Sequence, residues 1–357
     1  VATHAQSMNM FFTGSAKNMF MDCAWVATLP ITDHSAITNT EGMYQNTGLI
    51  GSVSISDLSS STSAKNMFSS DNGITSLVID KAANVADVSG MIDGISTLET
   101  ISLTGFDNAP FTDGFLNVSR ANLENITIEG NLYNLSTFRS ILTGDSNTST
   151  SADNTVKKLE LTNTALLSGE VNSLINSTQT DVLNKWTALQ TLTLRNFRNS
   201  NGINLTSAIR NDSDLTSVEI TGCNVVGFQE TFRDSKNLDT IIIRDCKPTN
   251  MSMMFQNAFT ARVPTSLLLE FDMSDVTTIA QMFSGCSQYT IDLQTQMVSG
   301  WSFSNSPQFL PNTSNSADTY KGVGNGWFQC AEGSGWLYFN GSIIKEYDAS
   351  ESRPTYT

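Results

Sequence analysis

Histidine is nearly absent from this chain. There are 2 in 357 residues, beside 5 cysteines, 7 prolines and a charged fraction of only 15%. So thin a supply of imidazole and thiol leaves little for general acid–base or covalent catalysis. His4 stands in a terminal stretch expected to fray, and His34 falls at a phase shared with core residues, so packing is its expected role. No Gly-x-Ser-x-Gly, His-Glu-x-x-His, P-loop or paired-glycine nucleotide motif occurs. Cys-x-x-Cys is missing too, which removes the usual zinc framework, and the cysteines are too irregular for a disulfide scaffold. Asp80, Asp87, Asp93, Asp272, Asp275 and Asp292 match no oxygen-ligand loop, so a solvated acidic face is expected rather than calcium. The expectation is a protein that is not an enzyme and carries no cofactor or metal.

Long apolar runs are also lacking, and none reaches the length of a membrane-spanning helix. Basic residues are outnumbered 19 to 34, for a net charge of -15. That excess argues against nucleic acid, anionic membrane surfaces and direct membrane insertion. It fits an exposed protein, extracellular or on a cell or virion surface. The chain begins at Val1, so a removed leader or a trimmed portion of a longer protein is expected.

What is present is a period. Ser-Ala-Lys-Asn-Met-Phe occurs at 15–20 and again at 63–68. Met43 and Met91 fall between and beyond, so Met19, Met43, Met67 and Met91 stand 24 residues apart. About seven residues after each Met comes an apolar run of the form L-x-x-L-x-L. Examples are Val26-x-x-Leu29-x-Ile31, Ile50-x-x-Val53-x-Ile55, Ile74-x-x-Leu77-x-Ile79, Leu98-x-x-Ile101-x-Leu103 and Leu123-x-x-Ile126-x-Ile128. Later ones end on Leu159/Leu161, Leu192/Leu194, Val218/Ile220 and Ile241/Ile243; the register blurs near Leu267–Phe271, and Ile291-x-Leu293 is a shortened copy.

The last two apolar positions of each run alternate with a polar one, which is strand periodicity. The Met-Phe segment predicts a short helical or 3-10 turn on the opposite face. Neither piece can bury its apolar side alone, so successive coils must stack. The expected fold is a leucine-rich-repeat-type solenoid of about eleven coils with a parallel β-sheet on one face. The Met-aromatic pairs are expected in the core. Cys223 and Cys246 fall at the same phase of adjacent coils, where either a disulfide or two buried thiols would fit.

Two coils are longer, with polar inserts at Gly144–Thr150 and Asn176–Trp186 that leave at one phase and so on one side. Along the sheet's outward face small hydroxyls line up: Thr28, Ser52, Ser76, Thr100, then Asn125, Lys158, Thr191, Ser217 and Thr240. The row resembles flat ice-binding sheets, but Lys158, Glu160, Arg195, Glu219 and Arg244 interrupt it and its neighbours with charge. Hydroxyls with sparse charges suit a protein or glycan partner better. The candidate contact residues are Lys158, Glu160, Thr191, Arg195, Glu219, Thr240 and Arg244.

Met282-Phe283-Ser284-Gly285-Cys286-Ser287 followed by Ile291-Asp292-Leu293 resembles the BspA-like class of leucine-rich repeats. So does the run from Phe271-Asp272-Met273-Ser274-Asp275-Val276 to Gln281-Met282-Phe283, and Asn84–Met91 follows the same pattern. The resemblance spans about residues 8–293. It implies surface-exposed proteins that act in adhesion and binding, and it implies no catalytic residues.

Residues 294–357 break the period. Gly326-Trp327 to Gly341 reads as a β-hairpin, and it is similar to one choline-binding repeat, a family that works through several copies. A cap on the solenoid's open end is the expected role, with Trp327, Trp336 and Tyr338 as a candidate aromatic contact. The expected organisation is an N-terminal cap at 1–18, a solenoid at 19–293 and an aromatic-rich cap or assembly module at 294–357. Two functions follow: a surface recognition or adhesion protein, or a structural component of a virion or extracellular filament that assembles with other copies or subunits.

Overall fold

The structure, a computed structural model, describes residues 12–111, 122–134, 155–168, 188–277 apart from 201, 263, 273 and 274, and Met282, together with the backbone of three strands within 326–347. The chain divides into two compact units, Val1–Glu170 and Val171–Thr357. Each is a parallel β-solenoid, and no helix longer than an isolated 3-10 residue occurs among the described residues.

The first unit holds β1 (Gly14–Ser15), β2 (Ile37–Asn39), β3 (Ile50–Ile55), β4 (Gly73–Ile79), β5 (Thr100–Phe111), β6 (Asn125–Asn134), β7 (Lys158–Thr162) and β8 (Ala165–Ser168). Strands β3 to β7 pair in parallel, each with the next, in the register the period demands. Val53, Leu77, Ile101, Ile126 and Leu159 form one inward row; Ile55, Ile79, Leu103, Ile128 and Leu161 form the next. All ten are buried. At about 1.5–3 kcal/mol for a fully buried aliphatic side chain, these rows dominate the unit's stability.

The second unit holds β9 (Thr191–Arg195), β10 (Arg198–Asn199), β11 (Ile203–Asn204), β12 (Ser217–Thr221), β13 (Val225–Gly227), β14 (Thr240–Cys246) and β15 (Ser266–Phe271), with β16 (Gly326–Gln329), β17 (Trp336–Phe339) and β18 (Ile344–Tyr347). Leu192, Val218, Ile241 and Leu267 make one inward row, and Leu194, Ile220, Ile243 and Leu269 the second. The register therefore runs unbroken from Ser266 to Glu270 and shifts only before Phe271, which pairs with Cys246. At the strand ends or just beyond them, Phe197, Cys223, Cys246 and Phe271 are buried, and both cysteines are free thiols. Strands β16, β17 and β18 form a separate antiparallel sheet, a hairpin with one strand added.

The Met-Phe segments are turns, not helix. The amides of Asn18, Phe20 and Asp22 donate to Glu41, Met43 and Gln45 of the next coil, at 2.9–3.0 Å. The amides between them, Met19 and Met21, donate within the turn to Ala16 and Asn18. The same alternation recurs at Gly42, Tyr44 and Asn46, and in the second unit at Ser207, Ile209 and Asn211. An α-helix needs every amide to reach back four residues, so a segment that gives alternate amides to its neighbour cannot form one. Left-handed residues fix the corners: Asn18 and Asp22, Asn46, Asn66 and Ser70, Ser207 and Asn211 all have φ between 52° and 67°.

The expected core pairs from Met67-Phe68 to Met254-Phe255 are buried wherever they are described, as is Met43-Tyr44, while Met19 at the first copy is half-buried. Phe20, Tyr44 and Phe68 stack with centroids 5.6 Å apart and planes within 15°. Phe232 and Phe255 repeat the contact at 5.4 Å. The pairs at 115–116, 141–142 and 174–175, the two polar inserts and Phe283 lie outside the described residues.

His34 packs as expected. It is buried, and its Nε2 lies 2.8 Å from the Tyr44 hydroxyl. Its Nδ1 has no partner. Tyr44→Phe would leave both ring nitrogens bare inside the core and should cost about 1–3 kcal/mol in thermal unfolding. A neutral result would show that the hydroxyl is dispensable.

Two expectations need correction. Ile50 is not a core residue: it is 62% exposed, and Leu49 is buried instead. The pairing of β3 with β4 shifts between Gly51 and Ser52 because β4 carries an extra residue, Thr75, between Ile74 and Ser76; that bulge lets Ile74 turn inward, while Ile50 alternates outward with Ser52 and Ser54. Residues 26–31 bury Val26 and Ile31 but form no strand. Pro30 lacks the amide that a ladder there would need, which blunts this edge of the sheet.

Candidate functional site

Strand alternation sends every second side chain out of the sheet. In the second unit this gives three rows. Thr191, Ser217, Thr240 and Ser266 are in register as a band of hydroxyls. Thr193, Glu219, Ile242 and Leu268 come next, then Arg195, Thr221, Arg244 and Glu270. The hydroxyl row expected from the sequence is thus present, with Ser52, Ser76, Thr100, Asn125 and Lys158 as its counterpart in the first unit. Thr28 falls in no strand.

The charges on this face engage one another. Arg195 donates Nε and Nη2 to the two carboxylate oxygens of Glu219, each at 2.6 Å, a bidentate pair. Arg195 holds the Glu219 carboxyl below the usual carboxylate range, with a smaller push from Arg244. In the first unit Lys158 and Glu160, two apart on β7, pair at 2.9 Å. Half-exposed pairs of this kind add about 1 kcal/mol or less to stability. What they do supply is a fixed orientation of charge among short hydroxyls. Ile242 and Leu268, half-buried and side by side, place an apolar step beside it. The sequence-derived set is therefore split: Lys158 and Glu160 lie in the first unit, and Thr191, Arg195, Glu219, Thr240 and Arg244 in the second.

Trp327 and Tyr338 are backbone partners across β16 and β17, and Trp336 faces Gln329. Their side chains lie outside the described residues. Several scattered carboxylates have local roles: Asp87 accepts from the Ser89 amide and hydroxyl, and Asp272 and Asp275 pair with Lys247. Asp292 lies outside the described residues. Among those residues no cluster of three His, Cys, Asp or Glu side chains is placed to hold a metal ion, and no helix is long and apolar enough to cross a membrane.

One surface feature escaped sequence reasoning. Met21, Trp25 and Ile50 are the exposed large hydrophobics among the described residues, and Trp25 is 75% exposed. All three belong to the first two coils of the first unit, where the Ile50 amide donates to the Ala27 carbonyl. Ile50 follows the strand alternation of Ser52 and Ser54, which the L-x-x-L spacing of its run conceals. Trp25 shares its phase with Leu49, Gly73 and Thr97, and so mixed a column carries no signal.

Neither the curated proteins nor the solved structures contain a match to this chain. A family model does match, twice, at residues 14–127 and 203–316; its description is Mycoplasma protein of unknown function, DUF285. One copy falls in each unit. Both begin on a short strand, β1 or β11, with left-handed residues four and eight positions on, at 18 and 22 in one and at 207 and 211 in the other. The two matches cover well over half of the sequence, their starting points are equivalent places in a coil, and the chain belongs to the DUF285 family.

Proposed function

We propose that this is a surface-exposed recognition protein of the adhesin type, non-enzymatic, that binds a protein or glycan through the outward sheet face. The observation that carries this is the second unit's face, where oriented charge (Arg195, Glu219, Arg244) stands beside a hydroxyl band and an apolar step. Family membership supports the reading, because the motifs at 251–293 resemble the BspA-like surface proteins. The net charge of -15 supports an exposed location outside the cell.

The test is binding of the intact chain to a glycan array and to a panel of extracellular-matrix proteins. Replacing Arg195, Glu219 and Arg244 together with alanine should weaken capture at least tenfold and move the melting temperature by less than about 3 °C, since half-exposed pairs contribute little to stability. Undiminished capture by the triple variant would remove the sheet face as the contact surface.

A specific observation favours a second reading, a structural component of a virion or extracellular filament. Met21, Trp25 and Ile50 place exposed apolar surface at one end of the first unit, where another subunit would bury it. Sedimentation of the intact chain separates the two. Concentration-dependent assembly that Trp25→Ser abolishes supports the structural role, and a monomer at all concentrations supports recognition.

A further inference from the structure

We propose that each unit carries a proton-binding latch in its core: Asp71 in the first and Asp212 in the second act as neutral carboxylic acids, so that mild acidification tightens the fold. Each stands four residues after an inward residue of the turn, Met67 and Ala208. Asp71 is 0% exposed and Asp212 2%. In each, one oxygen is served and the other is bare. Asp71 Oδ1 accepts from the Thr47 amide at 2.6 Å and the Thr47 hydroxyl at 2.8 Å. Asp212 Oδ1 accepts from the amides of Asp214 and Leu215, both at 3.0 Å. The Oδ2 atoms of both are buried with no partner.

Other described residues at this phase are neutral: Cys23, Thr47 and Ile95 in the first unit, Ser235 and Ala258 in the second. Ser235 is buried and gives its hydroxyl to the Ile209 carbonyl at 2.9 Å. The site therefore suits uncharged groups, and an ionised carboxylate there has no cation to offset its desolvation. A proton on Oδ2 removes the charge and leaves both bonds to Oδ1 in place.

The surroundings act in the same direction. Burial pushes the Asp71 carboxyl up to about 6, opposed only by the Thr47 bonds, and no charged group contributes. Burial pushes Asp212 up to about 7; Asp214, the one ionisable group that acts on it, adds to the rise. Among the described residues, His34 and Tyr44 are the other buried ionisable side chains in the first unit's core, and burial raises the Tyr44 phenol so that it stays neutral. Burial lowers His34 to about 4, with Asp33 the one charge in opposition, and it meets the neutral Tyr44 hydroxyl.

The sign of the effect follows. A carboxyl whose folded pKa is raised takes up a proton that the unfolded chain, near 3.8, does not. Stability therefore rises as pH falls through about 7 and then about 6, and levels off near the unfolded value. His34 works the other way: held at about 4 while the unfolded imidazole titrates near 6.5, it gives back part of this gain between those values, and below about 4.5 Glu219 loses its bond to Arg195. The maximum falls between about pH 4 and 6.

The experiment is thermal unfolding of the full chain from pH 8 to pH 5 at constant ionic strength, for the wild type, Asp71→Asn, Asp212→Asn and the double variant. The melting temperature of the wild type should climb across this range, each single variant should flatten the climb, and the double variant should lose it and, with His34 unopposed, fall below about pH 6.5. A wild-type profile that is flat or falling overturns the proposal. So does a double variant with the full climb, because the fading net charge would then account for it. Carbon-13 titration of aspartate carboxyls in the unmutated chain reads the same groups even where a variant fails to fold. Two midpoints above pH 5 support the latch, and midpoints near 4 for every aspartate overturn it.

Discussion

Phe68→Ala should destabilise the first unit by about 3–5 kcal/mol, the usual cost of emptying a buried phenyl site. For a unit of this size that is a fall of roughly 8–15 °C in melting temperature. Phe68 is fully buried, its ring stacks 5.6 Å from Tyr44, and its amide donates to the Met91 carbonyl of the next coil. Truncation removes one face of the Tyr44 stack, and Tyr44 is the residue that satisfies His34. The hydrogen-bonded turn on either side prevents the gap from closing, so the cost should sit high in the range. Phe68→Leu fills most of the volume and should cost about 1–1.5 kcal/mol. Denaturant titration gives both numbers. A loss below 1 kcal/mol for the alanine variant would mean that the aromatic column is not what holds these coils in line.

Gly48→Ala should be of similar severity, more than about 3 kcal/mol, although it adds only one methyl group. A Cβ at Gly48 would lie 2.1 Å from the Ala24 carbonyl oxygen and 3.0 Å from its carbon. Both are backbone atoms of the preceding coil and cannot rotate away, so the two coils would have to part. Gly51→Ala is the control. Gly51 has φ 72° and open space where its Cβ would be, so that variant bears only left-handed strain, about 1–2 kcal/mol. Circular dichroism melts of the two variants compare close approach with conformation directly. Equal losses would show that the tight spacing at Gly48 relaxes easily.

Much of this architecture is legible in the sequence because stacking imposes one constraint on every coil. Val53, Leu77, Ile101, Ile126 and Leu159 must meet in register, so they recur at a fixed phase. The outward hydroxyls from Ser52 to Thr240 are legible for the same reason. Ile50 was not, because the L-x-x-L spacing buries its first residue only where a bulge adds a residue, as Thr75 does in β4, and β3 has none there. The turn at Met67-Phe68 was not, because the partners of alternate amides lie a whole coil away and leave no local trace. The Arg195–Glu219 pair was half legible: both residues were placed on the face, but their mutual bond depends on which diagonal the side chains take. Asp71 and Asp212 were legible in principle, as acids at a phase that holds Thr47 and Ser235, yet an isolated carboxylate in a sequence gives no sign of its depth.

The alternating amides of the turn have a mechanical consequence. Where both are described, as between the coils of β3 and β4 or of β12 and β14, neighbouring coils are joined along two seams at once, the strand ladder and the turn ladder. Such a pair resists peeling, because lifting one seam strains the other before it frees anything. Wear at the ends should therefore remove whole rungs in succession, as a twin zip opens, and a partner pulling across the chain would meet the shear strength of both tracks together.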